Sequence, residues 1–196
     1  MLVKICGLRD EEHIRAAVEA GADAVGFVFA DSVRRIEPDR AAEITNMVPD
    51  TIKKVAVMLH PSNDEWQDVL RAFRPDVLQT DVEDFINLDV PVTVQCWPVY
   101  REGNTVSGTL FPAFVYEGAK SGTGQVVDWT RAADVGRQGN MILAGGLGVD
   151  NVAKAIATAR PYGVDVSSGV ESGPGQKDAT LIRKFISAAR AAERKL

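Results

Sequence analysis

Residues 141–170 read MILAGGLGVDNVAKAIATARPYGVDVSSGV. The apolar run "MILAGG" (141–146) ends in two glycines. "VDNVAKAIATAR" (149–160) follows, with helical apolar spacing and Asp or Asn near its start, where such residues cap a helix. A second apolar run, "YGVDVSS" (162–168), then leads into another glycine. This is one strand–helix–strand unit, and strands that are apolar on both faces read as buried parallel strands.

The same alternation extends back to the N-terminus. Strand-like runs are "LVKIC" (2–6), "DAVGFVFA" (23–30), "KKVAVML" (53–59), "PDVLQT" (75–80), "PVTVQCW" (91–97) and "FPAFVYE" (111–117). Helical patterns are "DEEHIRAAVEAGA" (10–22), "EPDRAAEITNMV" (37–48), "NDEWQDVLRAFR" (63–74), "DWTRAADVGRQG" (128–139) and "KDATLIRKFISAARAA" (177–192). "VEDFINL" (82–88) has room for only a turn or two. Eight strands alternating with helices predict an α/β fold, a single (β/α)8 TIM barrel, as one domain over 1–196. The chain is shorter than the ~250 residues typical of that fold, so its connections must be short. "PVYREGNTVSGTLFP" (98–112) shows no helical period and is expected to be a loop between strands 5 and 6. A doubly wound open sheet competes, but its first strand–helix turn would often be glycine-rich. "CGLRDEE" (6–12) has only Gly7.

Composition narrows the function. With 22 Lys and Arg against 27 Asp and Glu, the net charge of −5 argues against a nucleic-acid surface. An anionic ligand must then be held by local donors. No apolar run approaches the ~20 residues that span a bilayer, and the N-terminus has no signal-peptide pattern, so a cytoplasmic protein is expected. Cys6 and Cys96 are too few for a disulfide framework, and no Cys-x-x-Cys pair suggests zinc. His13 and His60 have no metal-ligand companions, so no metal is expected.

In a barrel the active site gathers at the C-terminal ends of the strands. Strand 1 ends in Cys6, strand 4 reaches Gln79 and Asp81, and strand 6 ends in Glu117, with Asp128 beyond. Arg34 and Arg35 follow strand 2. Gly145 and Gly146 follow strand 7, and Ser167, Ser168 and Gly169 follow strand 8. Phosphate commonly sits on these last two loops, beside a short extra helix, which "GVE" (169–171) is expected to open. Each residue also has a plainer reading. Alone, Cys6 is a small core hydrophobe, Asp128 a helix cap, Arg34 a loop arginine and each glycine pair a tight turn. Cys96 has no second feature and reads as core. Two glycine-bearing loops at consecutive strand ends favour phosphate.

"VKICGL", "GADAVGFVFA", "SVRRIEP", "KKVAVM", "SGTGQVVDW", "ILAGGLGVDNV" and "GVDVSSGVESGPGQKD" occur in this order along the chain. Together they closely resemble the phosphoribosylanthranilate isomerases of tryptophan biosynthesis. The resemblance implies an Amadori rearrangement without cofactor. N-(5-phosphoribosyl)anthranilate would become 1-(2-carboxyphenylamino)-1-deoxyribulose 5-phosphate. It makes Cys6 the general base, Asp128 the general acid and Arg34 the partner of the anthranilate carboxylate. Gly145, Gly146, Ser167, Ser168 and Gly169 would carry the phosphate, with Gln79, Asp81 and Glu117 on the pocket wall. A base of this kind must ionise, and a nearby cation such as Arg34, or helix-end N–H groups, would favour the thiolate. Asp128 must keep its proton, by burial or beside the negative charge of Asp81 and Glu117. Two positions depart from the family pattern. Asp81 stands where a histidine is usual, and Glu117 where aspartate is frequent.

Rival readings stay open at this point. One is a dual-substrate sugar isomerase that also serves histidine biosynthesis, although that relative typically has aspartate at the end of strand 1. The other is a barrel that binds a phosphate ligand without turnover. The expected partner is the small phosphosugar–anthranilate substrate, with no nucleic acid and no membrane. A monomer is expected over a homodimer.

Overall fold

The computed structural model describes residues 1–103, 111–119 and 125–196. Eight parallel strands close into a barrel in chain order: β1 (Leu2–Cys6), β2 (Ala24–Val28), β3 (Lys53–Val57), β4 (Val77–Asp81), β5 (Gln95–Arg101), β6 (Phe114–Glu117), β7 (Met141–Leu143) and β8 (Gly163–Val166). Pairing of β1 with β8, Lys4 opposite Asp165, completes the closure. The outer helices are α1 (Glu11–Ala20), α2 (Pro38–Ile44), α3 (Asn63–Phe73), α4 (Trp129–Gly136), α5 (Val152–Ala159) and α6 (Ala179–Glu193). A 3-10 helix, Val82–Ile86, connects β4 to β5, as the brevity of that segment predicts. No described helix is long and apolar enough to cross a membrane.

Caps explain several helix boundaries. Asp10 accepts from the His13 N–H at the start of α1, and Gly21 ends it in the left-handed region at φ 90°. Ser62 and Glu65 form a reciprocal capping box on α3. Asp178 caps α6 through the N–H groups of Thr180 and Leu181.

Strand alternation divides the apolar residues into two layers. Val3, Ile5, Val25, Phe27, Val164 and Val166 pack outward with the helices in one large cluster. Leu2, Ala24, Val55, Val77, Trp97, Val99, Val115 and Ile142 fill the barrel interior. The parity of Leu2 and Ala24 turns Lys4, Cys6 and Gly26 inward. That of Val77 and Val99 does the same for Gln79, Asp81 and Arg101. Every inward residue near a strand's C-terminal end therefore faces one mouth.

Two local expectations need correction. Strand 5 lies later than its apolar run suggests, because residues 91–94 form a turn closed by Val94 N–H to the Pro91 carbonyl at 2.9 Å. The strand proper includes Pro98 and pairs Gln95 to Val99 with Val77 to Asp81. Residues 98–101 read as loop because their segment carries Gly, Thr and Pro without a helical period, and proline is uncommon within a central strand. The remainder of that expected loop lies largely outside the described residues. After β8, residues 169–171 open no helix. β9 (Glu171–Gly173) and β10 (Gln176–Lys177) form a hairpin instead. Pro174 and Gly175 make its turn, with Gly175 at φ 73°, a conformation suited to glycine.

Candidate active site

Cys6 ends β1 and lies in a cavity of about 270 Å³ at the barrel mouth. Its thiol is buried, and Lys4, two residues earlier on the same inward face, is wholly buried. Lys4 Nζ donates to Asp165 Oδ2 at 2.8 Å. Burial works to lower the Lys4 ammonium, but Asp165, helped by Cys6, outweighs it and holds it above its ordinary value. Cys6 moves the other way from a ready nucleophile. Burial pushes the thiol up, Lys4 pulls it down, Asp165 pushes it up again and Lys177 pulls it down, with a net rise. The cation nearest in effect is Lys4, not Arg34 as expected.

Arg34 is committed elsewhere. Its Nε and Nη2 donate to Glu171 Oε1 and Oε2 at 2.7 and 2.9 Å. Lys177 Nζ adds a bond to Glu171 Oε1 at 2.7 Å and one to the Ser167 carbonyl at 2.8 Å. Burial works to raise the Glu171 carboxyl, yet these donors and the Gly175 N–H hold it at about 2. Burial lowers Lys177 below its ordinary value despite Glu171. The cluster ties the loop after β2 to the β9–β10 hairpin across the cavity's edge.

The opposite wall is a second charge cluster. Arg101 Nη2 and Nε donate to Asp81 Oδ1 and Oδ2 at 2.6 and 3.2 Å, and Nη1 donates to Glu117 Oε1 at 2.8 Å. His60 Nε2 lies 3.6 Å from Asp81. Beneath this cluster Gln79 is buried, and its Oε1 has no hydrogen-bond partner among the described residues. Such a group calls for a donor from a ligand or water.

The loops after β7 and β8 sit against each other. Gly145 and Gly146 have φ of 86° and 64°, the left-handed region that glycine tolerates. Gly148 bridges to Gly169, and a Cβ on Gly169 would lie 1.9 Å from the Leu147 carbonyl oxygen. Asn151 fixes the first loop by accepting from the Gly148 N–H and donating to the Gly146 carbonyl, both at 2.8 Å. The cavity reaches Gly145, Gly146, Ser167 and Ser168.

The whole pattern matches the family model described as N-(5'phosphoribosyl)anthranilate (PRA) isomerase, over residues 3–188. The chain belongs to this isomerase family. The N-(5'-phosphoribosyl)anthranilate isomerase of Streptococcus pneumoniae is 40% identical over 187 residues, covering 94% of this chain and 93% of that protein. The phosphoribosyl anthranilate isomerase of Thermus thermophilus superposes with a TM-score of 0.86 at 26% identity, covering 97% and 99% of the two chains. A further isomerase structure, in complex with reduced 1-(o-carboxyphenylamino)-1-deoxyribulose 5-phosphate, gives a TM-score of 0.82 at 30% identity, with 97% and 100% coverage.

Against this isomerase frame, Cys6, Arg34, Gln79, Asp81, Glu117 and the two glycine loops gather on one cavity. Asp128 stands apart as an exposed residue. Its Oδ1 caps α4 through the N–H groups of Thr130 and Arg131, at 2.8 and 3.2 Å. The burial expected to keep it protonated is not provided by the described residues. The expected charged neighbours, Asp81 and Glu117, are paired with Arg101. The carboxylate beside Asp128 is Glu102, whose Oε1 accepts the Asp128 N–H at 2.9 Å. Cys96 is half-buried, not in the core. Lys4, Asp165, Arg101, Glu171 and Lys177 also line or border the site, and the sequence pattern does not mark them. Inward parity on β1 and β8 was a usable signal for the first pair, whereas Glu171 and Lys177 meet only through the hairpin.

Proposed function

We propose that this isomerase converts N-(5'-phosphoribosyl)anthranilate to its aminoketose with Cys6 as base and Asp128 as acid. The rearrangement moves protons and changes no oxidation state overall. A proton from Asp128 to the furanose ring oxygen breaks the C1–O bond, and the anthranilate nitrogen's lone pair forms the C1=N Schiff base. The Cys6 thiolate then takes the C2 proton, and the C2–H electrons form C1=C2 as the iminium nitrogen regains its lone pair. Return of a proton to C1 and loss of the C2 hydroxyl proton give the ketone.

The observation that carries this reading is the convergence of a buried strand-end thiol, an unsatisfied Gln79 carbonyl and the paired glycine loops on one cavity. Backbone N–H groups at Gly146, Ser168 and Gly169 take the phosphate, as loops of this kind do. Arg34 keeps Nη1 outside its fork with Glu171 and turns it to the anthranilate carboxylate. Gln79 Oε1 accepts from a substrate hydroxyl or the anthranilate N–H. Remote anchoring at both ends fixes C2 beside the thiol.

The test is turnover of freshly generated phosphoribosylanthranilate, with the product identified by NMR. The histidine-pathway aminoaldose and a binding-only assay run alongside. Binding without turnover overturns the reading, as does equal turnover of the second aminoaldose. We also propose that the enzyme acts as a monomer. Exposed large apolar residues divide between the two ends of the barrel, with Val33 and Leu59 at the mouth and Met47 and Tyr162 at the base. Sedimentation at a mass near 21.1 kDa is the expected result.

A further inference from the structure

We propose that Lys4 is a positioning residue for the reaction: held by Asp165 beneath the cavity floor, its ammonium is the charge against which the Cys6 thiolate forms. The inference rests on the reading of Cys6 as the base.

The geometry begins with strand parity. Lys4 and Cys6 share the inward face of β1, and Gly26 lies opposite on β2, paired with Cys6. A Cβ on Gly26 would stand 3.0 Å from both Cys6 Sγ and Lys4 Cε. The thiol and the end of the lysine stem therefore occupy one recess, which exists because β2 carries no side chain there. Lys4 Cε and Cys6 Sγ thus border the same small space, and the lysine charge acts to hold the thiol down. On the other side Asp165, the register partner of Lys4, takes Nζ at 2.8 Å through Oδ2 alone. Its Oδ1 is buried without a partner among the described residues. A lone lysine in a barrel interior would shed its proton, and the aspartate prevents that.

Among the described residues, four charged groups bear on Cys6. Lys4 is on its own strand and Asp165 on β8. Lys177 on β10 and Arg34 after β2 come from the hairpin side. Lys177 and Arg34 both donate to Glu171, and Lys177 donates to the Ser167 carbonyl as well. Lys4 is the wholly buried cation of the set, where a charge acts through little intervening water. It also opposes the burial that otherwise keeps the thiol neutral.

The test is the pH dependence of iodoacetamide alkylation at Cys6, read by mass spectrometry of its own peptide so that Cys96 does not interfere. Lys4→Met is expected to slow alkylation about tenfold or more at pH 7, through a higher thiol titration. Its kcat should fall in parallel and recover as pH is raised. Lys4→Met with Asp165→Asn removes both charges and avoids an unpaired buried carboxylate, so it serves if the single variant does not fold. Its profile should lie between those of wild type and Lys4→Met, because Lys4 acts on the thiol more strongly than Asp165. A merely structural ion pair would lower the melting temperature and leave the alkylation profile in place, which overturns the proposal. Near-normal turnover in Cys6→Ser overturns the base reading instead, and the two failures are told apart by which variant shows them.

Discussion

Arg34 and Glu171 face each other as a two-pronged pair, 137 residues apart in sequence, with N–O distances of 2.7 and 2.9 Å. The pair couples the arginine expected at the substrate carboxylate to the hairpin beyond the phosphate loop. Lys177 joins the same carboxylate at 2.7 Å.

This cluster sets an acid limit on stability. The Glu171 carboxyl sits at about 2, below its unfolded value of ~4.3. A depressed carboxyl contributes stability that is complete above the unfolded value and is lost as pH falls through the window from ~4.3 to 2. Glu171→Gln is expected to flatten that part of the stability curve. At pH 7 it should also lower unfolding free energy by on the order of 3 kcal/mol, since it leaves Arg34 and buried Lys177 without a counter-charge. Urea unfolding from pH 2 to 7 checks both. An unchanged curve would mean the cluster is a bystander.

Cys6→Ser and Cys6→Ala separate chemistry from packing. Both variants should fold, with a loss of roughly 1 kcal/mol for alanine. Both should lose about 10²-fold or more in kcat, the usual worth of a positioned base. Because burial raises the thiol, wild-type kcat is expected to climb with pH through the neutral range, as the thiolate fraction grows. Thermal unfolding and a pH–rate profile give the measurements, and a flat profile with active Cys6→Ser would return the cysteine to a packing role.

Asp128 does two jobs that different substitutions can split. Asparagine caps a helix about as well as aspartate, so Asp128→Asn should hardly change the melting temperature. Its kcat should still fall by about 10²-fold, because the amide has no proton to give. Asp128→Ala should lose activity and also about 1 kcal/mol from the α4 cap. If Asp128→Asn keeps full turnover, the acid lies elsewhere and the residue is a cap alone.

Gly169 is where the two phosphate loops touch. Its substitution by alanine drives a methyl group to 1.9 Å from the Leu147 carbonyl oxygen, so the loops must separate. Overpacking of this kind costs roughly 1–3 kcal/mol. The expected signature is a rise in KM and in the inhibition constant for inorganic phosphate, each about tenfold, with kcat at saturation less affected. Equal phosphate affinity in the two proteins would place the anion elsewhere.

The alternation of apolar runs with helical patterns determines the barrel from the sequence alone. It does so because parallel strands buried on both faces must be apolar throughout, while the helices covering them show a three-to-four-residue period. Strand ends then placed Cys6, Gln79 and the glycine loops at one mouth, since all eight strands point the same way. Local pattern could not place Arg101. Pro98 disguises the second half of β5, and only barrel closure shows that this segment pairs with β4. Nor could it foresee what Arg34 binds. Glu171 reaches it through a hairpin that replaces the expected helix turn. The state of the Cys6 thiol is likewise a property of the closed barrel. Residue type says only that a thiol is there. Its proton is governed by burial and by Lys4, Asp165 and Lys177, which reach it from β1, β8 and β10. Charge–charge interactions depend on distance and on excluded water, and both are decided when the strands come together.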